Sequence, residues 1–264
     1  MSIVTQHECH NLLLRSLPAD QFAMLAGSME LVSAARGDCF CEPGEQIKFV
    51  YFPETGVISI TSEGTPMRLE LGLIGREGFA GIPAIMCDGI CPANTAVQVA
   101  GTFLRVRADM FRAAVHASPM MLATILRYVQ SFMVQLSSTA VANGSFNVEQ
   151  RLARWLLMVH DRLDNDQLAL THDLISMMLG VRRPGVTVAT HVLEGEHAIR
   201  ASRGRVEVRD REKLIGLAGG SYGLAEAEYE RLMGMSVRGQ RAAPAHLVAR
   251  AGAPPSSAVA ASPA

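Results

Sequence analysis

Between residues 170 and 195 the apolar positions step by three and four on either side of a polar break. Leu174, Ile175, Met178 and Leu179 form one stripe, and Val186, Ala189, Val192 and Leu193 form another. Arg182, Arg183 and Pro184 stand between them, so the pattern predicts two helices meeting at a tight turn. Upstream, residues 12 to 35 read as short helices, with Leu12, Leu13, Leu14, Leu17, Phe22, Met24 and Leu25 on the apolar face and Pro18 as a break. From about 37 to 107 the grain changes. The β-rich runs IKFVYF, GVISIT, MRLELGLIG and TAVQVAGTFLRV alternate with Gly and Pro turns, which predicts an antiparallel sandwich or barrel. Helical spacing returns from about 108 to 142. There Leu122, Ile125, Val129, Phe132 and Leu136 make an a/d stripe, suited to an identical helix in a dimer or to the core of its own domain. Asn143-Gly144 is expected to end that helix, and Asn147 to cap the next, which carries Leu152, Trp155, Leu156 and Val159.

Composition narrows the classes. A chain of 264 residues, 49% hydrophobic, fits one large domain or two small ones. The formal net charge of −1 excludes a chain that is basic throughout but allows a local basic patch. No run of apolar residues is long enough for a membrane span, and MSIVTQHECHNLLLRSL lacks the basic and apolar regions of a secretory leader. Five cysteines without a CxxC pair fit a reducing cytoplasm better than a disulfide framework.

The two-helix segment carries detailed signals. Thr171 is a cap for the first helix, Gly180 closes it in the left-handed conformation, and Pro184 belongs in the first turn of the second. This is helix-turn-helix spacing, in which the second helix enters the DNA major groove. Val186, Ala189 and Leu193 point inward, while Arg182, Arg183, Pro184, Thr187, Val188 and His191 belong to the DNA side. A helix N-terminus with two arginines is an anion site, and arginine also grips guanine with two bonds. AIRASRGRVEVRD then reads as strand, Arg203-Gly204 turn, strand: a wing with Arg200, Arg203 and Arg205.

The order of helix, β-roll, long helix and winged helix-turn-helix resembles the Crp/Fnr family of bacterial transcription regulators. The resemblance covers roughly residues 10 to 215 and is strongest over LTHDLISMMLGVRRPGVTVATHVLEG and RASRGRVEV. It implies an α+β protein with a cyclic-nucleotide-binding-like sensor domain over 1–118, a dimerisation helix over 119–143 and a winged helix-turn-helix over 144–218. The residues from 237 to 264, poor in large apolar groups, are expected to form a disordered tail. The resemblance further implies a homodimer reading a near-palindromic DNA operator, with RNA polymerase as a partner. Arg183 matches the arginine that reads guanine in the cAMP receptor branch. Pro184 replaces the following glutamate and Val188 a second base-reading arginine, so the half-site is expected to differ.

For the sensor, the resemblance places an effector site at Gly75, Arg76, Glu77, Gly78, Asn94 and Thr95. Asn94 stands where cyclic-nucleotide binders place a phosphate-holding arginine, so cAMP is not the expected effector. Cys39 and Cys41, and Cys87 and Cys91, are close in sequence, but the N-terminal cysteine group of an iron–sulfur member is absent, and His7, Cys9 and His10 make a weak ligand set. No metal or cofactor is expected. No P-loop, G-x-S-x-G or H-E-x-x-H motif appears, so an enzyme is not expected either. The alternative to a DNA-binding regulator is a thiol- or metal-responsive sensor module acting without DNA.

Overall fold

The structure, a computed structural model, describes residues 4–62 and 68–238. The N-terminal helices are α1 (Leu12–Ser16) and α2 (Ala19–Ala26). Seven strands follow: β1 (Glu30–Ala34), β2 (Cys39–Cys41), β3 (Phe49–Pro53), β4 (Val57–Thr61), β5 (Glu70–Ile74), β6 (Asn94–Val99) and β7 (Gly101–Arg107), with the short helix α3 (Pro83–Met86) between β5 and β6. They form two antiparallel sheets, in the orders β1-β7-β3 and β2-β6-β4-β5. The reading of 12 to 35 as helix is corrected at its end. Leu31 and Ser33 alternate with Val32 and Ala34, and the run pairs with β7 from Glu30↔Arg105 to Ala34↔Gly101.

The helical run expected from 108 is two helices, α4 (Ala108–Ala117) and α5 (Pro119–Ser145). Ser118 accepts from the Met121 backbone N–H and Pro119 sits in the first turn, so a cap and a residue without an N–H restart the helix there. Asn143 and Gly144 lie in the last turn of α5 rather than beyond it.

Next come α6 (Val148–Asp161), β8 (Gln167–Leu168), α7 (His172–Leu179), α8 (Arg183–Gly195), β9 (Ile199–Ser202), β10 (Arg205–Val208), α9 (Arg211–Leu217) and α10 (Leu224–Met233). Asn147 caps α6 in a reciprocal box with Gln150, as its side chain at that position predicts.

There are two cores. The first lies inside the roll and takes in Ile125, Tyr128, Val129 and Phe132 of α5, with Tyr229 and Val237 from the C-terminal segment. The second fills the winged unit and reaches across to Val57 of β4 and Leu73 of β5. The segment expected to be a disordered tail lies outside the described residues from 239 onward. Its first residue, Val237, is buried.

The roll and the C-terminal unit are joined by buried polar contacts. Trp155 Nε1 donates to Glu70 Oε1 at 2.7 Å. Arg162 Nε donates to Glu77 Oε1 at 2.8 Å, and both side chains are almost fully buried. Tyr229 Oη donates to the Glu77 carbonyl at 2.9 Å. The helix α10 packs along α5 with little sequence signal: LAEAEYERLM carries few large apolar residues, and only Ala225 and Tyr229 are buried.

Candidate functional site

The helix-turn-helix is built as its local signals dictate. Thr171 accepts from the Leu174 N–H, and Gly180 closes α7 at φ 60°, a conformation that costs glycine little. Val181 N donates to the Ser176 carbonyl at 3.1 Å, completing the turn. Pro184 lies in the first turn of α8, whose N-cap Arg182 provides no side-chain cap. Val186, Ala189 and Leu193 are buried, so the inward face is the expected one.

The outward face is free. Arg182, Arg183, Pro184, Val188 and His191 are exposed, and Val188 keeps 57% of its surface. The Arg183 guanidinium lies 3.3 Å from Asp173, with both side chains well exposed. An ion pair so open to solvent is worth ~1 kcal/mol or less and yields readily to a stronger anion. Thr187 is half-buried; its hydroxyl lies 3.2 Å from His172 Nδ1 and donates to the Arg183 carbonyl at 3.2 Å, so it holds the helix start. In the wing, β9 and β10 pair from Arg205↔Ser202 to Val208↔Ile199, Gly204 turns at φ 74°, and Arg203 and Arg205 are exposed. The Ala201 N–H is held by Glu194 at 2.7 Å, which ties the wing to α8.

The six residues expected to form an effector site do not come together. Gly75 and Gly78 are packing glycines. A Cβ on Gly75 would lie 2.6 Å from the Arg162 side chain, and one on Gly78 would lie 1.9 Å from the Tyr128 ring. Glu77 is bound to Arg162, and Arg76 Nη1 donates to Asp164 Oδ1 at 2.6 Å. Asn94 faces outward from the sheet: its amide donates to Thr61 Oγ1 at 3.1 Å and accepts from Cys39 Sγ at 3.3 Å. It lines a cleft of about 460 Å³ between the sheet and α7. Thr95, one residue on, points to the other side and lines a cavity of about 480 Å³ between the roll and α5.

The five stripe residues of α5 are also placed differently from a dimer seam. Ile125, Val129 and Phe132 are buried in the roll's own core, and Leu122 and Leu136 pack partly against it. Of the two partners that the stripe fits, its own domain takes it.

The cysteines separate as well. The β2–β6 register shifts between Cys39 and Cys41, so the two do not share a strand face. Cys39 and Cys87 are exposed, while Cys9, Cys41 and Cys91 are buried. Burial pushes the Cys41 and Cys9 thiols up to about 12, which keeps them protonated and poor as nucleophiles or metal ligands. Among the described residues no three His, Cys, Asp or Glu side chains converge to hold a metal ion, and no helix is long and apolar enough to cross a membrane.

A β-roll, a long helix and a winged helix-turn-helix with an open, arginine-bearing recognition helix define a DNA-binding regulator fold. Residues 150–217 match the family described as the Crp-like helix-turn-helix domain. FixK2 from Bradyrhizobium japonicum superposes with a TM-score of 0.62 at 15% identity, over 72% of this chain and 96% of that one. A CRP-family transcriptional regulator from Thermus thermophilus gives 0.59 at 19% identity, over 72% and 97%. The c-di-GMP-responsive global regulator CLP from Xanthomonas campestris gives 0.56 at 15% identity, over 72% and 99%. Sequence comparison with curated proteins finds no match. Residues 150–217 thus form a Crp-like helix-turn-helix domain, and the chain shares the fold of solved CRP/FNR transcriptional regulators.

Proposed function

We propose that the protein is a cytoplasmic transcription regulator that binds a near-palindromic operator as a homodimer, acting by binding and without catalysis. The observation that carries this reading is the free N-terminal end of α8. Two exposed arginines stand at an uncapped helix start, and the wing, tied to the same helix through Glu194, carries two more, on a chain of near-zero net charge. Base-edge reading falls to Arg183, Val188 and the Thr187 methyl, and phosphate contact to Arg182, His191, Arg203 and Arg205.

The second copy of the chain sits on the face of α5 that the roll and α10 leave open. Leu126 and Met133, seven residues apart, keep 48% and 53% of their surface, and Ala123, Gln130 and Ser137 continue the exposed row. A seven-residue repeat on a 27-residue helix suits a parallel helix pair, and a two-fold axis there matches a near-palindromic site. RNA polymerase is the partner that a regulator bound upstream of a gene meets.

The test is selection of bound DNA from random sequence by the full-length protein. Enrichment of one inverted repeat, with half-sites about one helical turn apart, supports the reading. Retention of no DNA, or of all sequences equally, overturns it in favour of a sensor that acts without reading DNA.

A further inference from the structure

We propose that Asp173 is the positioning residue that makes Arg183 a reader of guanine rather than a clamp on phosphate, an inference that rests on the DNA-binding reading above and assigns a source for its sequence preference.

The start of α8 by itself favours phosphate. Arg182 and Arg183 stand at a helix start that no side chain caps, and the free backbone N–H groups and the helix dipole both attract anions there. An arginine so placed grips any phosphate that comes near, whatever the sequence. Asp173 changes that choice. It is the second residue of α7, in the first turn, where the dipole favours a negative charge. Its Oδ1 lies 3.3 Å from Arg183 Nε. The scaffold sets that distance. Helix α7 packs on α8, the Thr187 hydroxyl reaches both His172 Nδ1 and the Arg183 carbonyl at 3.2 Å, and the ring of Pro184 fixes the backbone after Arg183.

The contact divides the guanidinium. Asp173 takes the Nε edge, and among the described residues nothing else engages that side chain, so the two Nη groups are left for a partner. Those two groups form a fork that can span O6 and N7 of one guanine. The guanine edge is uncharged, so it takes the fork without displacing the carboxylate. A phosphate asks for the same guanidinium but brings its own negative charge up to that of Asp173 and is repelled. In the free protein both side chains are well exposed, 67% and 75%, so the pair is weak there. DNA laid over it removes water, and attraction and repulsion both grow as the effective dielectric falls. The discrimination therefore arises on the complex, with little effect on the stability of the free protein.

The test uses the operator returned by selection, its single-base variants and a duplex of unrelated sequence, each titrated with the full-length protein at two salt concentrations. Asp173→Asn keeps the size of the side chain and removes its charge. It should bind the unrelated duplex about three-fold more tightly and steepen the salt slope there by about one per half-site, because Arg183 is then open to a phosphate. On the operator panel it should lose roughly ten-fold of the preference at the base pair that Arg183→Ala relaxes, and leave the other positions unchanged. Asp173→Glu, which returns the charge on a longer arm, should recover part of both effects. In an Arg183→Ala background, Asp173→Asn should no longer alter base preference. A residue that only stabilised α7 would weaken all sequences together and could not tighten binding to unrelated DNA. Uniform weakening by Asp173→Asn, or an unchanged preference in the folded variant, overturns the inference, as does an even loss across the panel for Arg183→Ala. Asp173→Ser takes the place of Asp173→Asn if the latter fails to fold. A wild-type protein that selects no operator overturns the regulator reading and this inference with it; an operator read alike by wild type and Asp173→Asn counts against this inference alone.

Discussion

Single side chains are assigned two distinct jobs here, the proposed reading of DNA and the setting of pH sensitivity. Arg183 leads α8 just before Pro184, while Arg182 stands outside the helix as its N-cap. Arg183→Ala should therefore cost roughly 1–3 kcal/mol per half-site and relax preference at one base pair. Arg182→Ala should weaken all operator variants alike and lower the salt slope by about one per half-site. Affinities across single-base variants at two salt concentrations separate the two, and an even loss for Arg183→Ala would reduce the pair to an anion clamp. Glu70 has the other job. Burial pushes its carboxyl up to about 7, although Ser59, Trp155 and Gln98 all donate to it. The Gln98 amide oxygen is buried without a partner, so a proton on Glu70, with that amide turned over, would supply one. A carboxyl whose folded pKa is raised stabilises the fold fully below its ordinary value, and that contribution is lost as pH rises through about 7. Asp161, pushed up to about 6 mainly by burial against the pull of Arg211, adds a loss of the same sign at lower pH. Denaturant stability should fall on the order of 3 kcal/mol between pH 4.5 and 8, and Glu70→Gln should remove most of that fall. A Glu70→Gln protein with an unchanged pH profile would refute the assignment.

Among the elements, α5 has three working sides: one to the roll, one to α10 and one left open. Met133→Glu places like charges across the proposed helix pair, an apolar contact where burying them costs several kcal/mol. Sedimentation should then give folded monomers. Val129→Glu, by contrast, puts its charge inside the roll's core and should unfold the sensor rather than split a dimer. If Met133→Glu leaves the dimer intact, the open row is not the seam. The contrast also marks what the sequence could tell. Spacing of Leu122, Ile125, Val129, Phe132 and Leu136 showed that one side of a helix is buried, but a stripe reads the same whether a partner or its own sheet covers it. The turn chemistry at Thr171, Gly180 and Pro184 was legible because each of those conformations is dictated by one residue. Outcomes set by distant partners were not legible: the outward turn of Asn94, the use of Gly75 and Gly78 to admit Arg162 and Tyr128, and the docking of α10 through Tyr229.

The molecule as a whole is held by a clasp between units that each possess a core. Val57 and Leu73 of the roll belong to the second core, and Trp155 and Arg162 of α6 reach back to Glu70 and Glu77. The C-terminal segment fastens the same place. Tyr229 bonds the Glu77 carbonyl, and the Arg238 carbonyl accepts from Arg76 at 3.4 Å. Arg162 matters most, since its guanidinium also donates to the Met158 carbonyl at 2.7 Å and so joins α6 to the Glu77 loop. Arg162→Met would leave the Glu77 carboxylate buried and unpaired, a loss of roughly 3–5 kcal/mol. That loss falls on the contact between units rather than within either core. Calorimetry should therefore change from one unfolding transition to two, the roll and the winged unit melting separately. Adding Glu77→Gln removes the stranded charge and should restore part of the coupling, as residues in direct contact do in a double-mutant cycle. A single transition at the original midpoint in Arg162→Met would mean that apolar contacts through Val57 and Leu73 hold the units together, and that the buried ion pair only fixes their register.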